Sequence, residues 1–213
     1  MNSTNVSIDS DLIEKNTIVF HQILSLILLF IIIITTIFGN VLVITAILKT
    51  PRLRNLSNYL ILSLSVTDLI VGLIIMPQSA IIQIIFFNRW TLGPAFCDII
   101  VVIQSVCTTA STLHLVFIAI DRYLSVTQFK YSINKKRRHI FVMILISWTL
   151  PLVWDTTTIF WSRNYKQFLD RIEQGNCLAN NNPTRIIITS ILKFYAPVTL
   201  IIILYVLIYR VIL

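Results

Sequence analysis

Long runs of apolar residues, separated by short polar segments, dominate this sequence. A helix needs about 20 apolar residues to cross the hydrocarbon core of a bilayer. Strands of a membrane barrel would alternate apolar and polar residues, and runs such as Leu26–Ile34 do not alternate. The pattern therefore predicts an all-α, polytopic transmembrane helix bundle. Its five helices are expected at about Ile23–Leu48, Asn58–Phe87, Leu92–Val126, His139–Trp161 and Ile186–Leu213.

The composition supports the bilayer as the solvent of this chain. Only 12% of the residues are charged and 56% are hydrophobic, whereas soluble domains carry about 25% charged residues. The formal net charge of +8 does not indicate a nucleic-acid partner, because the basic residues form short clusters between apolar runs, as topology signals do. Three cysteines are too few for a disulfide scaffold but allow one bridge outside the cytosol.

The basic residues also predict the orientation. The loops after the first and third helices share one side and hold eight Lys and Arg residues, against six on the other side. This excess places the two loops in the cytosol and the N-terminus outside the cell. We expect residues 1–21 to form an extracellular tail, glycosylated at Asn2 and Asn5, and residues 22–213 to form the transmembrane domain of a multi-pass cell-membrane protein. The first 20 residues lack the features of a signal peptide, so the first helix is expected to direct its own insertion.

Polar residues inside membrane helices are costly, so each is a functional candidate. Asp68 lies in the middle of the second helix, and we weigh equally a structural hydrogen-bonding role and a switch or cation-binding role. One stripe of the third helix carries Cys97, Gln104 and Ser111, with Arg122 at its inner end. His114 is expected to be a packing residue with a satisfied hydrogen bond.

Two further features mark the ends of the third helix. Arg122 lies between Asp121 and Tyr123, where Asp121 can hold it by a charge-assisted hydrogen bond. On spacing alone, an interfacial anchor is slightly favoured for Arg122. Cys97 and Cys177 both fall on the outer side, where a bridge would pin the outer loop over the bundle, while Cys107 is expected to pack in mid-helix.

Several short motifs resemble those of rhodopsin-like (class A) G-protein-coupled receptors, most of all the biogenic amine and muscarinic-type receptors. The resemblance covers nearly the whole chain, and the order of the motifs makes it specific. The motifs are Gly39-Asn40-Val41, Leu64-Ser65-Val66-Thr67-Asp68-Leu69, Trp90-Thr91-Leu92-Gly93, Asp121-Arg122-Tyr123, Trp148, Pro197 and Tyr205, with the amine-like stretches Ser57-Asn58-Tyr59-Leu60, Ala110–His114 and Phe194-Tyr195-Ala196-Pro197-Val198.

The resemblance implies a fold and a set of roles. The bundle would be five of the seven helices of such a receptor, with a disulfide between Cys97 and Cys177. Asp68 and Ser111 would form half of a sodium site, the one cofactor that we expect. Asp121, Arg122 and Tyr123 would couple to a heterotrimeric G protein, and other receptors are further candidate partners. The pocket for a small-molecule ligand would include Gln104, Thr108, Thr189, Ser190 and Lys193.

Three positions depart from the amine-receptor pattern. Gln104 stands where these receptors carry the aspartate that pairs with the ligand ammonium, and Lys193 stands where they carry small or hydroxylated residues. We weigh two hypotheses equally: the pocket prefers a neutral or anionic ligand, or Lys193 pairs with Asp155 and its charge is cancelled. Phe129 replaces a proline after the Asp-Arg-Tyr motif, which leaves the coupling preference open.

The leading functional prediction is a ligand-sensing, G-protein-coupled receptor. The sequence stops at Leu213, before the sixth helix that swings outward on activation, so we expect no signalling from this polypeptide alone. The alternative is a truncated, non-signalling form that associates with full-length receptors and modulates them. A channel or transporter is disfavoured by the lack of repeated halves. An enzyme is disfavoured because the three histidines lie at different depths.

Overall fold

The computed structural model describes residues 3–85, 89–128, 137–161, 164–177 and 183–212, and over these ranges it contains helices and loops but no strand. Five helices are long and apolar enough to cross a membrane. The predicted all-α bundle is therefore confirmed, and the chain is a multi-pass membrane protein. The membrane-spanning parts are Val19–Lys49, Asn58–Ile82, Gly93–Thr127, Arg137–Thr157 and Ile186–Ile212. We call these helices the first to the fifth.

Some of these helices extend beyond the membrane-spanning parts. The first begins at Ser3 and ends at Lys49. Its 47 residues correspond to about 70 Å, more than twice the roughly 30 Å of the hydrocarbon core. It therefore includes most of the segment predicted as a tail, whose side of the membrane stays a prediction. The other bounds are Asn58–Ile85 for the second helix, Gly93–Thr127 for the third, Arg137–Trp161 for the fourth and Pro183–Ile212 for the fifth, with a short 3-10 turn at Pro51–Leu53.

The third helix is central to the packing. It contacts the second, fourth and fifth helices, while the first helix packs on the second. Gly72 allows the first and second helices to approach closely, because a Cβ atom there would lie only 3.2 Å from Ile37 Cγ1 and 3.3 Å from Thr36 Cγ2. Such close backbone approach is typical of helix packing in membranes. There the hydrophobic effect does not drive association, and helices associate through close van der Waals packing at small residues.

Two π-helical turns interrupt the second and fifth helices, and each ends two residues before a proline. The turns are Val71–Ile75 before Pro77 and Ile191–Tyr195 before Pro197. A proline ring crowds the carbonyl four residues earlier and lacks an N–H donor, so a wider turn there relieves the clash. One extra residue per turn rotates the following side chains by about 100° about the helix axis.

A small apolar cluster closes the end of the bundle that is predicted to face outside the cell, which we call the outer end; the opposite end is the inner end. Trp90, Cys97, Ile100 and Phe168 are all buried and pack together. Phe168 comes from a short helix in the outer loop, Tyr165–Glu173, which we call the outer helix. This cluster fixes the outer loop against the third helix.

A disulfide and a backbone hydrogen bond hold the end of this loop. Cys97 and Cys177 are bonded, which confirms the expected bridge. The N–H of Trp90 donates to the carbonyl oxygen of Gly175 at 2.6 Å. Gly175 has φ +82°, and a Cβ atom there would lie 3.2 Å from the Cβ of Arg89. Glycine is therefore required at this turn for conformation and for space.

We predict that Gly175→Ala lowers the free energy of unfolding by about 1–2 kcal/mol, because alanine is strained at this φ. Thermal unfolding of the purified protein can be followed with a thiol-reactive dye, since the free Cys107 is buried. Gly39→Ala is the matched control, because nothing lies within 4 Å of the added Cβ. Equal unfolding temperatures for the two variants would contradict the prediction.

Candidate ligand-binding site

Two adjoining cavities lie between the helices, beneath the disulfide-bonded loop. One has a volume of about 350 Å³ and reaches toward the fifth helix. The other, of about 320 Å³, reaches toward the second helix. They share Val101, Gln104 and Cys177. Together they form one concave, partly polar region at the outer end of the bundle, which is the kind of place where small ligands bind.

The cavities bring together some of the predicted pocket residues. Gln104, Thr108 and Lys193 line the larger cavity. The amide of Gln104 is exposed and has no side-chain hydrogen bond within the described part of the chain. Thr189 and Ser190 are not among the lining residues of either cavity, and Thr189 donates instead to Ile186 O of its own helix at 3.1 Å.

An ion pair joins the fourth and fifth helices beside the larger cavity. Lys193 Nζ lies 2.6 Å from Asp155 Oδ1 and donates to Ser105 Oγ at 2.9 Å. The other carboxylate oxygen of Asp155 accepts a hydrogen bond from Thr109 at 2.7 Å. The Asp155 side chain is fully buried, whereas that of Lys193 is 27% exposed. The hypothesis that Lys193 pairs with Asp155 therefore agrees with the geometry.

Deeper in the bundle, Asp68 of the second helix faces Ser111 of the third. Ser111 Oγ lies 2.9 Å from Asp68 Oδ1 and 3.0 Å from Thr67 Oγ1. Oxygen ligands from two helices suit a hard cation, and they supply part of a coordination shell. The residues present thus fit the expected half of a sodium site, and sodium binding itself stays a prediction.

Ser63 of the second helix joins three helices through one hydroxyl group. Its oxygen accepts the indole N–H of Trp148 at 3.0 Å. It lies 2.8 Å from His114 Nε2, while His114 Nδ1 lies 2.7 Å from the carbonyl oxygen of Ala110. Because a carbonyl only accepts, Nδ1 carries the hydrogen, and in the neutral imidazole Nε2 accepts from Ser63. The expectation that His114 is a packing residue with satisfied hydrogen bonds is confirmed.

Comparison with known proteins identifies the family. The sequence profile of the "7 transmembrane receptor (rhodopsin family)" matches residues 39–213. The chain belongs to this receptor family. It is 38% identical over 184 residues to 5-hydroxytryptamine receptor 2A of Drosophila melanogaster, which covers 86% of the chain and 22% of that relative. It is 34% identical over 213 residues to the D(1B) dopamine receptor of Xenopus laevis, covering 97% of the chain and 46% of the relative.

A third relative, 5-hydroxytryptamine receptor 1E of Cavia porcellus, is 35% identical over 211 residues, which is 99% of the chain and 57% of that receptor. The chain thus spans at most 57% of the length of these three relatives. The resemblance to class A, amine-type receptors is confirmed at the level of the family. These relatives are receptors and not enzymes.

The inner end of the third helix carries the receptor's Asp-Arg-Tyr motif. Arg122 is exposed, whereas the side chain of Asp121 is only 1% exposed. Arg122 is therefore accessible from the inner side of the bundle. Phe129, where the sequence departs from the amine-receptor pattern, lies outside the described residues. Asn2 and the side chain of Asn5 also lie outside them, so glycosylation stays a prediction.

Three polar residues that form hydrogen bonds between helices were not singled out from the sequence. Ser63, Ser105 and Thr109 each bond to a side chain on another helix. Ser105 and Thr109 are four residues apart and therefore share a face of the third helix. Two hydroxyl residues at this spacing, together with Asp155 in the apolar fourth helix, would have indicated Ser105 and Thr109 as its partners.

We predict that Ser63→Ala lowers the free energy of unfolding by about 2 kcal/mol, because the indole N–H of Trp148 and Nε2 of His114 both lose their partner. Ser65→Ala is the control, since among the described residues the buried hydroxyl of Ser65 bonds only within its own helix, to Ile61 O at 3.0 Å. Thermal unfolding, followed by labelling of Cys107, compares the two. A loss of equal size in both variants would refute the role of Ser63.

Proposed function

We propose that this chain is the ligand-binding part of a G-protein-coupled receptor of the cell membrane, with its N-terminus outside the cell. In the full-length receptor, a small extracellular ligand in the two cavities would lead to signalling through a heterotrimeric G protein. The observation that supports this proposal most is the pair of cavities lined by Gln104 beneath the loop that Cys177 anchors. Family membership and the names of the relatives support it further.

The ligand that we propose does not depend on an ammonium group for its affinity. The relatives are named for 5-hydroxytryptamine and dopamine, both of which carry an amine. Gln104 is exposed to both cavities and is uncharged. A neutral amide offers a hydrogen bond but no ion pair, so an ammonium gains little there. Lys193 is paired with Asp155, so its charge does not decide this preference. Because no acidic residue is among the described lining residues of either cavity, we propose that the receptor binds a neutral or anionic ligand more tightly than an amine.

The inner end of the third helix supports a heterotrimeric G protein as the partner. Arg122 is exposed there and carries a permanent positive charge. In this interpretation, signalling requires the two helices that follow in members of this family, because activation moves the sixth helix outward.

We predict that the full-length receptor catalyses ligand-dependent nucleotide exchange on a G protein and that Arg122→Ala loses this activity.

We predict that Gln104→Asp raises the affinity for 5-hydroxytryptamine about 30-fold, because a partly desolvated carboxylate–ammonium pair contributes about 2 kcal/mol. Radioligand displacement on membranes measures the change. Gln104→Asn is the matched control, because it shortens the side chain like aspartate but adds no charge. Nanomolar binding of the amine to the unsubstituted receptor, retained in Gln104→Ala, would refute the proposed ligand preference.

The alternative function, a non-signalling partner of full-length receptors, requires a different measurement. The chain of 213 residues is co-expressed with a full-length relative, and the surface level of that relative is measured by antibody labelling. A changed surface level without any response from the chain would favour the alternative. An unchanged surface level, together with signalling by the full-length receptor, would favour the proposal above.

A further inference from the structure

The ammonium group of Lys193 lies at the boundary between a buried acid and an open cavity. On one side, Asp155 is fully buried and holds the ammonium at 2.6 Å. On the other side, the Lys193 side chain is 27% exposed and lines the cavity of about 350 Å³. A ligand in that cavity therefore meets a cation whose counterion is already in place.

The ammonium group of Lys193 keeps at least one hydrogen-bond donor for a ligand. A lysine ammonium has three N–H donors. Among the described residues, Ser105 Oγ accepts one hydrogen bond at 2.9 Å, and Asp155 Oδ1 lies 2.6 Å from the ammonium as its ion-pair partner. At least one N–H of the ammonium therefore has no protein partner in the described part of the chain. Because the Lys193 side chain is partly exposed and lines the cavity, water or a ligand atom takes this donor.

The charge balance decides which ligand atom suits this donor. Lys193 and Asp155 together carry no net charge, and Thr109 satisfies the second oxygen of Asp155 at 2.7 Å. A ligand carboxylate would bring a negative charge close to Asp155, and like charges in a medium of low dielectric repel strongly. A neutral acceptor, such as an amide or ketone oxygen, accepts the hydrogen bond without that cost.

We propose that Lys193 is a specificity-determining residue, which donates its remaining N–H to a neutral oxygen or nitrogen acceptor of the ligand while Asp155 serves as its fixed counterion. This inference rests on the proposed ligand-binding function and narrows it, from neutral or anionic ligands to neutral ones. The exposed amide of Gln104, in the same cavity, supplies a second neutral contact. The site then recognises two polar, uncharged groups.

The test uses three 5-hydroxyindoles that differ only in the group at the end of the side chain, which is an ammonium, an N-acetyl amide or a carboxylate. Their dissociation constants are measured with the receptor in lipid nanodiscs. We expect the neutral amide to bind most tightly. In Asp155→Asn, Lys193 loses its counterion, so the carboxylate probe should gain about tenfold and the amide probe should change little.

A double variant separates recognition from folding. Lys193→Met alone would leave Asp155 buried and unpaired, so Lys193→Met is combined with Asp155→Asn. The double variant should bind the amide probe about tenfold more weakly than the unsubstituted chain and show no preference for the carboxylate. Thr199→Val is the control on the same helix, because its hydroxyl donates to Tyr195 O at 2.8 Å. Protection of the Cys107 thiol verifies folding in each variant.

The outcomes distinguish this inference from the proposal on which it rests. If the three probes bind but keep the same relative affinities in Asp155→Asn and in the double variant, Lys193 takes no part in recognition, and the receptor proposal still stands. Tightest binding of the carboxylate to the unsubstituted chain would also overturn the inference. If no probe binds any folded variant more tightly than about 1 mM, the proposed ligand class fails as well.

Discussion

A carboxylate inside a bilayer has no water to accept from, so it persists only where other side chains replace the water. Asp155 meets this constraint through Lys193 and Thr109, on two other helices. Because Lys193 and Thr109 must both stay in contact with Asp155, the outer halves of the third, fourth and fifth helices are fixed relative to each other. A buried ion pair adds little stability compared with apolar packing. Its value here lies in defining one arrangement of the helices.

The features set by the thickness of the membrane could be predicted from the sequence. Five apolar runs gave five helices, because about 20 residues are needed to cross the hydrocarbon core. The roles of His114 and Cys107 as packing residues were also predictable, since neither lies among other candidate ligands. The family followed from the order of short motifs, and its profile matches residues 39–213.

Features that depend on helix rotation could not be predicted in the same way. Whether Lys193 meets Asp155 depends on the relative rotation of two helices, which the spacing of residues along the chain does not define. The proline at position 197 signals a distortion, but the π-helical turn of Ile191–Tyr195 depends on which carbonyl each N–H selects. The outer helix is only nine residues long, too short for a membrane span, and it is held by the packing of Phe168.

The bond between Cys97 and Cys177 joins residues 80 positions apart. It therefore turns most of the third helix, the whole fourth helix and the outer helix into a closed covalent circle. A protease that cuts this circle once, at any loop, opens it without releasing a fragment, because both ends remain attached through sulfur. The pieces separate only after reduction as well. The third and fourth helices thus stay covalently linked after a single cleavage that would divide an unbridged chain.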